Sequence, residues 1–358
     1  MLSIIDRYII KKFLSTFFFM LGVIMMFAIV FDVSEKLGEF ISNKAPLKAI
    51  VFDYYVNFLI LYGNMFTSMI VFLSVIWFTT IMAKDTEIIP IWFSGKPMTR
   101  YLRPYFIAAS ILMLFSLMIN HFMVPRANKV RLAFEEKYYR DVMVVRDYHA
   151  EFPENVSVYF SNFTNSDGRV NDFTFQKWSQ DMKPIYFVKS RYALNEPNSK
   201  KWVLNDLYEK RFFKDSIAIR HIKTLDTTFN FSISDMAQRE NTAETMSYSE
   251  LNAFIGREQA KGSSLVPLYQ IELHQRTSYP FAAYILTLIG VSVASQKRRG
   301  GIGVNIAIGL GIVFVYIFSM KMLTVASLKV GFPPLLSVWI PNLFFACLAL
   351  ILFRFSQK

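Results

Sequence analysis

FLSTFFFMLGVIMMFAIVF, residues 13–31, runs without a single Lys, Arg, Asp or Glu. A helix needs about 20 such residues to cross a hydrocarbon core, so this stretch reads as a membrane span. Five more runs follow at Tyr54–Ala83, Tyr105–Val124, Thr277–Gln296, Gly301–Met320 and Val330–Phe353. Three lie on each side of one polar block, Pro125–Gln275. The fold class this implies is a membrane α-helical protein with six transmembrane helices, 3+3, and an inserted water-facing domain. No small-residue cleavage site follows the first run, where Phe31-Asp32-Val33 stands, so it is expected to be a retained span and not a signal peptide.

Charge orients the chain. The net charge is +12 and the pI about 9.5, which could suggest nucleic acid, but the excess is in the wrong place for that. The span-bearing segments Met1–Val124 and Arg276–Lys358 together hold 18 Lys and Arg against 7 Asp and Glu, whereas the polar block holds 21 against 20. Basic residues mark every second loop: Arg7, Lys11 and Lys12; Lys84, Lys96, Arg100 and Arg103; Lys297, Arg298 and Arg299; Arg354 and Lys358. By the positive-inside rule both termini are expected in the cytoplasm and the polar block outside. A single cysteine, Cys347, falls inside the sixth span, so the outer block must stand on its own core.

That block reads mainly as strands. Val156–Phe163 and Val170–Trp178 alternate and flank Thr164-Asn165-Ser166-Asp167-Gly168, a hairpin signal. Further runs at Ile185–Leu194, Lys201–Phe213, Ser216–Lys223 and Thr227–Ile233 suggest an all-β sandwich or jelly-roll-like domain with an edge open to a partner. Ser247-x-x-Glu250 is a capping box that opens a short helix ending at Gly262.

No phosphate-binding loop, zinc motif or nucleophile elbow occurs, and His121, His149, His221 and His274 are scattered. The chain therefore reads as non-catalytic, without metal or cofactor of its own. His121, near the outer end of the third span, is either a helix-contact histidine or a functional polar group. The cytoplasmic loop holds a short helix candidate over residues 86–95, with Ile88, Ile91 and Trp92 on an apolar face and Gly95 before Pro97 as its stop. It is a knob for another protein or an amphipathic turn on the membrane surface. In the fifth span Gly303, Ala307 and Gly311 fall four apart, a face for plain helix packing or a gate against a partner subunit.

Four local patterns then point one way: Asp6-Arg7-Tyr8-Ile9 with Lys11 and Phe13; Glu87 with Gly95 eight residues on; Met246-Ser247-x-x-Glu250-Leu251; and Glu272-Leu273-His274-x-Arg276 with Pro280. In their order and in the span layout they resemble the LptF/LptG permeases of lipopolysaccharide export, over the full chain, and the opening looks more like the G branch. The loop helix departs from the family in Pro90 and the aromatic pair Trp92-Phe93. The resemblance implies residues 1–125 as spans one to three, 126–275 as a periplasmic β-jelly-roll-like domain and 276–358 as spans four to six, in the bacterial inner membrane. It implies a second, LptF-like permease subunit, a cytoplasmic LptB-like ATPase dimer that uses the ATP, and LptC-like and LptA-like periplasmic β-domain partners. Glu87, Ile88, Ile91, Trp92 and Gly95 would couple to the ATPase. Lys36, Lys44, Arg126, Lys129 and Arg131, in regions where the family meets its lipid, would bind lipopolysaccharide phosphates, with Lys48 nearby. Two other readings stand beside this one: a permease for another lipid or lipoprotein, whose relatives commonly have four spans, and a membrane scaffold with a partner-binding β-domain.

Overall fold

The computed structural model describes residues 3–87, 90, 98–139, 144–152, 154–164, 168–181, 183–195, 199–213, 216–233, 240–263, 265–295 and 301–356. Among these, six helices are long and apolar enough to cross a membrane. They fall in two compact units, one built from residues 1–139, 244–251 and 267–358, the other from 140–243 and 252–266.

In the membrane unit α1 (Ile4–Ser42) starts in a capping box: Ser3 Oγ accepts from the Asp6 amide and the Asp6 carboxylate accepts from the Ser3 amide, at 3.2 and 2.8 Å. The second predicted span is two helices, α2 (Val56–Met65) and α3 (Thr67–Lys84), entered through a π-helical turn at Ile50–Tyr55. The third, α4 (Met98–Met118), continues through a π turn into α5 (Val124–Tyr138), past Pro125, which occupies a first-turn position where its missing N–H costs nothing. A helix α6 (Tyr248–Ala260), whose residues from Asn252 on belong to the second unit, precedes α7 (Val266–Ala294), α8 (Gly301–Val330) and α9 (Pro334–Ser356). Gly331, with φ +76°, makes the turn between the last two at no steric cost.

α3 and α7 sit at the centre of the packing. Phe72, Val75, Ile76, Phe78, Leu286, Ile289 and Val291 are buried in one cluster with Phe13 and Phe17 of α1 and Tyr105 of α4. Close approach rests on two glycines. A Cβ at Gly290 would lie 2.9 Å from Val75 Cγ1, and one at Gly309 would collide with Ile76. At Gly303 and Gly311 a Cβ would meet nothing within 4 Å, and Ala307 is exposed. The stripe read from the sequence thus faces away from this chain's own helices, and the tight contact uses the glycine between them.

The second unit holds six antiparallel strands in sequential order: β1 (Val144–Phe152), β2 (Val156–Thr164), β3 (Arg169–Trp178), β4 (Pro184–Asn195), β5 (Lys201–Phe212) and β6 (Ile217–Thr228). The inserted domain is all-β as expected, but among the described residues its strands form one continuous meander, where the sequence suggests a sandwich or jelly-roll-like arrangement. β1 is a strand that the sequence reading does not contain. The two runs read at Ser216–Lys223 and Thr227–Ile233 resolve into one long strand, β6, and a tail that follows it. In that tail Phe231 accepts from Trp202 Nε1 (3.1 Å), the Ile233 amide donates to Asn195 Oδ1 (2.8 Å), and both residues fill the core.

A transverse crease crosses this sheet. Inward residues in β2 are 156, 158 and 160, then 163; in β4 they are 188 and 190, then 193 and 195; in β5, 202 and 204, then 207 and 209. β1, β3 and β6 change sides likewise, and the register of all five strand pairs puts the changes in one row through Asp147, Ser161, Asp172, Arg191, Asp206 and Lys223. Asp147, Asp172 and Asp206 sit there with φ of 50°, 51° and 53°, a left-handed conformation that Asp tolerates better than most residues. Side chains satisfy the backbone along the row. Ser161 Oγ donates to the Asn171 carbonyl (3.1 Å), and Ser190 Oγ, wholly buried, reaches the Tyr192 and Asn205 carbonyls at 2.7 Å each. Below this row Phe160, Phe173 and Phe175 pack with Trp202, Phe229 and Phe231 as one aromatic core, and Tyr186 borders it. Burial pushes the Tyr186 hydroxyl up to about 12, with Glu209 adding to the shift.

Candidate functional site

The four sequence patterns meet in two pairs, both in the membrane unit. At the end where α1 begins, Asp6 is buried and takes both nitrogens of the Arg100 guanidinium at 2.8 and 2.7 Å, a two-point bond across to the start of α4. One to two turns further along α1, Tyr8 Oη donates to Glu87 Oε2 at 3.0 Å, and Lys12 Nζ donates to the same oxygen at 3.3 Å and to Tyr8 at 2.8 Å. Glu87 therefore stands at the close of α3 with its carboxylate on α1. Ile88, Ile91, Trp92 and Gly95 lie outside the described residues.

The second pair joins α7 to the turn before α6. Arg276 is 2% exposed. Its Nε donates to Glu272 (3.0 Å) and its guanidinium donates to the Met246 carbonyl (2.7 Å), while Asn120 of the third helix donates to the Arg276 carbonyl (2.9 Å). Ser247 and Glu250 form the expected cap, whose backbone and side-chain bonds hold the Glu250 carboxyl below its ordinary range. His274 is half-buried on α7. His121 Nδ1 donates to the Leu117 carbonyl (3.1 Å) and the ring stacks on Tyr248, which fits the helix-contact reading.

The five cations named for lipid divide by environment. Lys36 is caged: Asp32 accepts from it at 2.6 Å, Tyr54 bonds it, and the Tyr54 and Tyr139 rings each lie with their centroids 5.0 Å from its nitrogen. Asp32 takes two more hydroxyls, from Tyr54 (3.1 Å) and Tyr55 (3.2 Å), within a cluster that includes Phe40, Phe58 and Phe134. Arg131 is buried, paired with Glu135 and hydrogen-bonded to Asn128 through two nitrogens at 3.3 and 3.4 Å. Lys44, Arg126 and Lys129 are exposed, as is Lys48. α5 thus carries Asn128, Arg131 and Glu135 on its packed side and Arg126 with Lys129 on its open side. Sequence spacing located the basic region but not this division, because the neutralising carboxylates Asp32 and Glu135 stand one helical turn from their cations and read equally well as solvated charges.

Among the residues that reading left without a role are Tyr8, Lys12 and Arg100. Lys12 and Arg100 entered it only as topology charges. A lone acid, Asp6, buried ahead of an apolar span was the available signal.

The chain matches the family model for the lipopolysaccharide export system permease LptF/LptG over residues 7–354, which takes in three of the four patterns whole, the first from Arg7 onward, and nearly all of both units. No curated protein sequence matches it. The six spans, the inserted sheet and this near-complete match agree, and the chain belongs to the LptF/LptG family of lipopolysaccharide export permeases.

Proposed function

We propose that this multi-pass permease of lipopolysaccharide transport is the non-catalytic membrane half of an ATP-driven extractor, with both termini cytoplasmic and the β-domain periplasmic. The basic loops support that orientation. A second permease subunit would cover the open stripe of Gly303, Ala307 and Gly311, where small residues stand exposed and, among the described residues, nothing lies within 4 Å of a Cβ built at either glycine. A separate ATPase dimer would act on the loop that starts at Glu87. The β-domain would pass lipid to periplasmic β-domain partners by strand addition; β6 is a sheet edge, with Ile217 and Ile219 exposed on it. The domain division would be residues 1–125, 126–275 and 276–358.

The observation that carries lipid capture is the pair of open cations on α5, Arg126 and Lys129, beside the neutralised Lys36 and Arg131. A phosphorylated sugar headgroup needs accessible cations, and these two are exposed, while Lys36 and Arg131 are each held by a carboxylate one helical turn away. Lys44 is the third exposed candidate. Site-specific photocrosslinking from Arg126 in membranes with the ATPase co-expressed tests this. Lipopolysaccharide adducts that change with ATP are expected. No adduct at Arg126 or Lys36, with the ATPase bound, would favour a permease for another lipid or lipoprotein cargo.

A further inference from the structure

The cytoplasmic-side contacts of α1 are unequal, and the inequality has a direction. Glu87 lies just past α3 and Arg100 in the first turn of α4, and both are held by the first three turns of α1. At the Arg100 end the bond has two parallel N–H···O contacts, its carboxylate is only 4% exposed, and the same carboxylate caps α1. Releasing it strands a buried charge and undoes a helix start. At the Glu87 end the carboxylate takes one ammonium and one phenol on a single oxygen, with the two charged side chains 26% and 37% exposed. Water can replace either donor, so this contact opens easily. Ile9 and Phe13, between and beyond the two contacts, are packed into the central cluster, so a push on this part of α1 moves the helix and not a loose end.

We propose that Asp6–Arg100 is a fixed pivot and Glu87–Tyr8/Lys12 a releasable latch, and that movement of the loop reaches the membrane helices through α1. The inference rests on the coupling role given to this loop above. Any partner that offers Glu87 a cation competes with Lys12 for it, which makes the latch open when the loop is gripped. Tyr8, Lys12, Asp6 and Arg100 are then positioning residues for transport.

The test uses the full permease complex in proteoliposomes loaded with lipopolysaccharide, reading lipid released per ATP hydrolysed and ATPase co-purification. Lys12→Met is expected to lower the release ratio about two- to fivefold with ATPase binding unchanged, and Tyr8→Phe to do so less. Asp6→Arg is expected to lower it about tenfold or more, and Asp6→Arg combined with Arg100→Asp to restore most of it, which a merely destabilising change would not do. A parent-like ratio in Lys12→Met overturns the latch. A swap that reaches the membrane, binds the ATPase and stays uncoupled overturns the pivot. A parent complex that binds no ATPase or releases no lipid overturns the transport reading, and the joint with it.

Discussion

Each end of the membrane unit is closed by an arginine on a carboxylate, and the two closures differ in what surrounds them. Arg276 is itself the buried partner, with Glu272 26% exposed and a main-chain carbonyl as second acceptor, so it joins a helix to a turn as a structural pin. At the other closure the carboxylate of Asp6 is buried and Arg100 is 29% exposed, with a weaker contact at Glu87 beside it. Burial of the cation makes a lock, and burial of the anion beside an exposed cation makes a joint next to which something can move. Family membership alone does not separate these roles; the surroundings of each charge do.

Breaking the lock is expected to have the largest effect. Arg276→Met leaves the Met246 carbonyl and Glu272 without their donor and should cost about 3–5 kcal/mol, visible as loss of folded protein in a thermal melt in detergent. Equal melting temperatures would make the two closures equivalent. Asp6→Asn keeps the cap's shape but weakens the bond to a half-exposed arginine, and about 1–3 kcal/mol is expected from the same melt. Packing supplies a third comparison. Gly309→Ala forces a methyl into Ile76 and should cost about 1–3 kcal/mol, while Gly311→Ala, whose methyl meets nothing within 4 Å among the described residues, should leave the isolated subunit's melt unchanged. A shift for Gly311→Ala only in the assembled complex would locate the second subunit on that stripe.

The smallest effect is a pH dependence at the Ser247–Glu250 cap. Glu250's pKa is lower in the folded state than in the unfolded chain, so the folded form binds fewer protons and the cap's contribution is fully present above the unfolded value. It is lost as pH falls through the folded value. Amide exchange in the first turn of α6 should quicken between neutral and acidic pH, and Glu250→Gln should remove most of that difference. Unchanged exchange across the range would mean that packing of Leu251 alone holds the helix start.

Much of this was legible in the sequence, and what was not has identifiable causes. Length and apolarity gave the six spans because the hydrocarbon thickness is a fixed ruler. They did not show the break of the second span at Phe66, since α2 and α3 are equally apolar on both sides of it. The hairpin around Gly168 followed from turn chemistry. β1 did not, because Val145 points in on one side of Arg146-Asp147 and Tyr148, Ala150 and Phe152 on the other, so no single alternation runs through it. Phe229, Phe231 and Ile233 alternate like a strand, yet past Phe229 they are held by side chains, with Trp202 Nε1 donating to the Phe231 carbonyl and Asn195 Oδ1 accepting from the Ile233 amide. Of the candidate site, the basic region was readable and the division between caged and open cations was not. That division depends on Tyr54, Tyr55 and Tyr139 arriving around Lys36 from two other segments.

The crease also has a consequence for how the sheet finds itself. In an ordinary strand a slip of two residues leaves every side chain on its own face, so a meander can settle into several near-equal misalignments. Here a slip of two in β4 would carry its change of side away from Ser161, Asp172 and Asp206, and in one direction would turn Arg191 toward the aromatic core. Six strands that each reverse sides once can be aligned at one position only, and the row of aspartates works as a notch cut across all six.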